Sequence, residues 1–232
     1  MKKKRLIPVI LYRDEWLVQS KSFSRFQKVG KPIRSVLRYS EWDSDELIYL
    51  NISNTLLKSE NEKNDINNDF LNVLDDVSKV TFMPLTVGGG IQSNKDIQTR
   101  LALCADKVSI NTAAIENPEF IYNAAREFGS QCIIISIDAK RFENEHYVMS
   151  HYGKRKTNLK AKDWAKEMED SGCGEILINS VDNDGKKSGY DIELIDNIAK
   201  SVNIPVIALG GVGELSHFAD ALDKTEVDAI AA

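Results

Sequence analysis

Two aspartates and two glycine-rich turns hold most of the chemistry this sequence can offer. Asp138 ends an apolar run in CIIISIDAKR, and Asp184 lies in NSVDNDGKKSGYD. A carboxylate at the end of a buried strand can move a proton or hold a substrate, although in a loop it can equally cap that loop. VGGGI (87–91) and LGGVG (209–213) each close an apolar run ahead of a helical pattern. Glycines there let backbone N–H groups approach a phosphate, and the following helix N-terminus adds its dipole. A tight strand-to-helix turn also asks for glycine, so one such motif says little. Two related by an internal repeat say more. Gly89 precedes Asp106 by the same spacing at which Gly211 precedes Asp228, and each aspartate opens a strand ending in small residues. The repeat predicts two similar half-barrels, and a ligand with two phosphates at opposite sides of one mouth.

The elements that must position these groups are short and regular. Segments 6–11, 46–52, 83–88, 107–111, 132–138, 175–180, 204–210 and 227–232 are rich in Ile, Val and Leu with little polar alternation. That is the pattern of parallel strands buried on both faces. Amphipathic stretches lie between them, as at 117–129, with Asn117-Pro118 as a start signal, and at 159–172; Gly129 and Gly172 are stop signals. Strand–helix alternation over 232 residues predicts an α/β fold, one (β/α)8 TIM barrel spanning 1–232 and ending at strand 8. Three connections exceed minimal loops: a polar link at 12–32, a charged and mobile excursion at 56–69, and a polar hairpin at 142–157 carrying His146 and His151. Loops after strands surround the working mouth of a barrel.

Bulk properties exclude several classes. A net charge of −5 gives no support for nucleic-acid binding, and no run approaches the ~20 apolar residues of a membrane helix. The opening MKKKRLIPVILY has no cleavage site after its apolar run and reads as a first strand, not a signal peptide. Cys104, Cys132 and Cys173 lack CxxC spacing and read as reduced thiols of a cytoplasmic protein. The histidines lack HxxxH spacing, so neither a metal nor another cofactor is expected.

ADKVSINTAAIENP (105–118), FGSQCIIISIDAKR (128–141), GEILINSVDNDGKKSGYD (174–191) and IPVIALGGVG (204–213) resemble HisF, the cyclase subunit of imidazole glycerol phosphate synthase. The resemblance runs from Arg5 to Ala232 and is weakest at 12–35 and 55–80. It implies a barrel that takes ammonia from a HisH-type glutaminase in a heterodimer and cyclises a bisphosphorylated precursor. It also implies one phosphate site at Gly89, Gly90, Asn111 and Thr112, and another at Asp184, Gly185, Gly211 and Ala231. The family's catalytic pair is two aspartates at the ends of strands 1 and 5. Asp138 matches the second, but the first falls at Leu11, which cannot transfer a proton. The family lysine on the next loop matches Gln19, and a mouth aspartate matches Asn51. Tyr152, Asn179 and Leu209 replace smaller hydroxylated residues. A shifted register would make Asp14 the acid instead.

Arg5, Glu46, Lys107 and Glu175 each sit at the start of an apolar run. Charges heading buried strands need partners, and two of each sign can close a neutral ring across the lower mouth. The simplest role for such a ring is to plug the barrel. By resemblance the four match the gate through which ammonia enters HisF. A strand from Glu46 to Asn51 rises ~16 Å at ~3.3 Å per residue, so a gate at one mouth can feed the other. Asp106, beside Lys107, could help a glutaminase dock. A kept gate with a lost acid is similar to the HisF-like paralogues of surface-polysaccharide clusters, which hand ammonia to a sugar amidotransferase making acetamidino sugars. The alternatives are the histidine-pathway cyclase itself, and a non-catalytic scaffold that activates a glutaminase.

Overall fold

The computed structural model describes residues 3–41, 44–53 and 58–232. In chain order the strands are β1 (Arg5–Ile7), β2 (Val9–Arg13), β3 (Trp16–Lys21), β4 (Arg25–Gly30), β5 (Leu47–Asn51), β6 (Leu85–Gly88) and β7 (Lys107–Ile110). They continue as β8 (Ile133–Phe142), β9 (Glu145–Ser150), β10 (Arg155–Lys160), β11 (Glu175–Ser180), β12 (Val206–Leu209) and β13 (Ala229–Ala231). The helices are α1 (Pro32–Glu41), α2 (Glu60–Ser78), α3 (Asn94–Leu103), α4 (Thr112–Glu116), α5 (Pro118–Phe128), α6 (Ala161–Asp170), α7 (Ile192–Ala199) and α8 (Leu215–Lys224).

The parallel strands close on themselves through a stave broken at Pro8. Proline has no N–H for the ladder. Below it, β1 pairs with β13, Arg5 opposite Ala229; above it, β2 pairs with β5, Leu11 opposite Leu50. The seam continues past the break, where Val9 N donates to Ala232 O at 2.7 Å and Ala232 N to Ile7 O at 3.1 Å. The remaining staves follow in the order β5, β6, β7, β8, β11, β12, β13, completing a (β/α)8 barrel.

Alternation along each stave sorts its side chains. Ile7, Ile48, Ile134, Leu177, Ile207, Ala229 and Ala231 fill the barrel, with Val9, Leu50 and Leu209 above them. Their neighbours pack outward under the helices, as Ile10, Tyr12 and Tyr49 do against Phe70 of α2. Each fully buried Ile or Leu contributes about 1.5–3 kcal/mol. The half-barrel repeat has a direct cause. Asp106 accepts from Leu85 N at 2.8 Å and donates its own N–H to Leu85 O at 2.8 Å. Asp228 repeats this with Val206, at 3.2 and 3.0 Å. Each aspartate thus ties the start of one strand to its predecessor.

Two connections differ from their sequence reading, and a third matches it except at one residue. Residues 12–32 are not an irregular link: β3 and β4 form an antiparallel hairpin that extends β2, with Leu11 opposite Val18 and Gln19 opposite Gln27. The charged excursion at 56–69 is largely helix, because α2 begins at Glu60. Ser59 starts it with a capping box, its Oγ accepting from Glu62 N at 3.4 Å while Glu62 Oε2 accepts from Ser59 N at 2.8 Å. Residues 54–57 lie outside the described residues. The hairpin at 142–157 is present as β8–β9–β10, but His146 is buried in it, 3.1 Å from Asp191.

Candidate functional site

Parallel staves put every strand-to-helix turn at one mouth. Gly89 and Gly90 follow β6 with φ of 95° and 69°, and Gly210 and Gly211 follow β12 with φ of 96° and 105°. At Gly89 and Gly211 side chains are excluded by space as well as by angle. A Cβ on Gly89 would lie 2.0 Å from the Asn51 carbonyl oxygen, and one on Gly211 2.1 Å from that of Gly189. Between these turns, Asn111 and Thr112 follow β7, and Asp184 and Gly185 follow β11.

Asp138 sits at the centre of this mouth, on β8. Asn111 Nδ2 donates to its carboxylate at 2.8 Å, and Asn179 stands opposite it on β11. Burial pushes its pKa up, the nearby Asp184 charge adds to this, and the two amides oppose it; the result is about 7. A carboxyl that titrates there can both take and give a proton near neutral pH. Its family partner position is apolar. Leu11 shares the inward face of its stave with Val9 and stands opposite Leu50 on β5.

Asp14, the alternative acid of a shifted register, lies at the β2–β3 turn with a side chain 62% exposed, and its N–H donates to Ser53 Oγ. Gln19 is exposed on the hairpin and points away from the mouth. Asn51 turns to its own loop, Oδ1 accepting from Ser53 N at 3.0 Å.

Two hairpins reach across the opening, an arrangement the sequence did not reveal. Asp184 Oδ2 accepts from Ser20 Oγ at 2.6 Å and from Phe23 N at 3.2 Å, so the carboxylate clasps the β3–β4 tip. A Cβ on Gly185 would lie 2.1 Å from Ser20 O, and one on Gly153 would lie 2.7 Å from the Phe23 ring. The β9–β10 turn rests on the other side, with Tyr152 OH donating to Ser53 O at 2.8 Å and His151 N to Thr112 Oγ1 at 3.3 Å. Ala231 is buried, and its carbonyl accepts from Tyr190 OH at 2.8 Å.

At the opposite mouth the four strand-start charges meet. Arg5 bonds Glu46 at 2.5 Å and also Glu175. Lys107 bonds Glu46 at 3.2 Å and Glu175 at 2.9 Å. Acid and base alternate around a closed ring, so each charge has two partners of opposite sign. Among the described residues, no group of His, Cys, Asp and Glu is placed to hold a metal.

Fold and site together define the class: a (β/α)8 barrel of two like halves, with paired glycine turns at one mouth and a neutral charge ring at the other. Within that class the chain belongs to the HisF family, and the family described as "Histidine biosynthesis protein" matches residues 5–232. The imidazole glycerol phosphate synthase subunit HisF of Hydrogenobaculum sp. (strain Y04AAS1) is 44% identical over 227 residues, covering 97% of this chain and 87% of that one. The protein of the same name from Sulfolobus acidocaldarius is 44% identical over 218 residues, covering 94% and 84%. That from Exiguobacterium sp. is 39% identical over 231 residues, covering 100% and 88%. These names point to imidazole glycerol phosphate synthase. None of them mentions polysaccharide synthesis, the role first expected here.

Proposed function

We propose that this chain is the ammonia-accepting barrel subunit of a glutamine-dependent synthase of the imidazole glycerol phosphate type, working with a HisH-like glutaminase. The relatives' names support the histidine-pathway reading of its chemistry. The observation that carries the ammonia route is the closed ring of Arg5, Glu46, Lys107 and Glu175. It stands at the mouth opposite Asp138, and its outer side opens on a cavity of about 250 Å³ lined in part by Lys3, Gln131 and Asp228. On the same face Phe82 is 93% exposed, an apolar anchor for the glutaminase. Asp106 contributes less to docking than its position suggests, since its carboxylate is engaged by Leu85 N.

In this reading a phosphorylated substrate lies between the two glycine turns. Gly89, Gly90, Asn111 and Thr112 hold one phosphate, and Asp184, Gly185, Gly211 and Ala231 line the other site. Asp138 exchanges the proton. With Leu11 opposite, no second carboxyl assists, and general acid–base partners contribute about 10²–10⁴-fold. Leu11 therefore favours a second reading as well. The barrel passes ammonia to another acceptor, such as a sugar undergoing amidation by a separate amidotransferase.

The test supplies the bisphosphorylated precursor and free ammonium to the barrel. Turnover at least about 100-fold below that of a relative with both aspartates is expected. Leu11→Asp should recover only part of it, because Asn51, Asn179 and Leu209 also differ. Ordinary turnover by the unaltered chain would remove the second reading and restore a full cyclase.

A further inference from the structure

Arg100 of α3 is the most deeply buried cation among the described residues, with 0% of its surface exposed. Its ion pairing among the described residues is a single long contact. The nearest carboxylate, Asp96, stands 3.9 Å away and is itself partly exposed. Its guanidinium donates instead to neutral oxygens: NH1 to Asp96 O at 3.1 Å, NH2 to Asn67 Oδ1 on α2 at 3.0 Å, and NH2 to Gly89 O at 3.1 Å. The Nε–H has no partner among the described residues. Burial accordingly disfavours the charged form and lowers the pKa of the group. A buried and incompletely paired cation is costly and calls for a reason.

The reason lies in what the carbonyl does on its other side. The Gly89–Gly90 peptide is trans, so its C=O and N–H point in opposite directions. The carbonyl is drawn outward to Arg100 in the helix layer, and the Gly90 N–H is therefore turned inward, toward the mouth. The cation also polarises that peptide along its length, which makes the N–H a stronger donor. No side chain at position 89 could allow this, since its Cβ would strike the Asn51 backbone.

We propose that Arg100 is a positioning residue of the upper mouth, a sealed cation that fixes and polarises the Gly89–Gly90 peptide for a phosphate monoester it never touches. This rests on the phosphate-binding reading of the Gly88–Gly90 turn. Asn67 serves as the second tether, locking the guanidinium between α2 and α3.

The experiment titrates inorganic phosphate, then ribose 5-phosphate, into the full chain while the Gly90 amide is followed by NMR. In the unaltered chain both ligands should shift that amide. Arg100→Gln, neutral but still able to donate to Gly89 O, should weaken phosphate binding about tenfold. Arg100→Lys should stay within about threefold, because it keeps the charge. Melting of each variant is recorded alongside, and Lys serves as the folded comparison should Gln destabilise the barrel. Equal binding by the Gln variant and the unaltered chain would reduce Arg100 to a structural tether and overturn the proposal. A Gly90 amide indifferent to either ligand in the unaltered chain would instead remove the phosphate site itself, and the proposal with it.

Discussion

The two mouths of this barrel are built from the same staves and treat charge in opposite ways. At the lower mouth Arg5, Glu46, Lys107 and Glu175 neutralise one another completely, each touching two partners. At the upper mouth Asp138 has amides for neighbours and Asp184 as the nearby charge, and its pKa climbs to about 7. One end is electrically finished without a ligand; the other is left in need of one. A reactive carboxyl is made by withholding the partner that a structural carboxyl would be given.

The largest effect expected from breaking this contrast is at the ring. Lys107→Met leaves two glutamates sharing Arg5, and should cost about 3 kcal/mol by chemical denaturation. Adding Glu46→Gln should return part of that, since the count of charges balances again. In complex with the glutaminase, Lys107→Met should also uncouple glutamine hydrolysis from transfer. A barrel that loses stability while transfer continues unchanged would make the ring a plug.

Asp138→Asn probes the other end. The pKa of Asp138 is raised above its ordinary value near 3.8. Its contribution to stability is therefore whole below that value and is lost as pH rises through about 7. The amide variant escapes this loss. It should be more stable than the unaltered chain by about 4 kcal/mol at pH 8, with little difference at pH 4. A pH-independent difference would mean that the two mouths handle charge alike.

Smaller changes sharpen the picture of how the upper mouth is held. Asp184→Ala frees Ser20 and Phe23, and should cost about 1–2 kcal/mol while opening the β3–β4 tip to proteolysis at 22–24. Tyr190→Phe removes one buried bond to Ala231 O and should cost about 1 kcal/mol.

Much of this was readable in the chain, for reasons that differ by residue. The staves announced themselves because Ile and Val are needed on both faces of a strand that has helices outside and a filled barrel inside. The ring was readable because a charge at the start of a buried run must find a partner. The α2 start was also written, as Ser59 and Glu62, yet the polar sequence around it outweighed the capping box. Arg100 was hidden, since an arginine among polar helix residues reads as surface, and only the position of Asn67 and Gly89 buries it. The clasp on Asp184 was hidden too. Its donors, Ser20 and Phe23, stand 164 and 161 residues away along the chain. No local pattern reports a contact of that range. The outward turn of Gln19 follows from the hairpin register, which a polar stretch does not specify.

The break at Pro8 has a kinetic meaning. Arg5 pairs with Ala229 and Ile7 with Ala231, so these contacts join residues far apart in sequence. Closing so long a loop carries an entropic cost that no local interaction offsets beforehand. Each half, held by its own Asp106 or Asp228 tie, can gather first as a curved sheet. Annealing along β1 and β13 then becomes the slow step. Amide protection at the seam bonds Val9 N–Ala232 O and Ala232 N–Ile7 O should appear later in refolding than the packing of Tyr49 on Phe70.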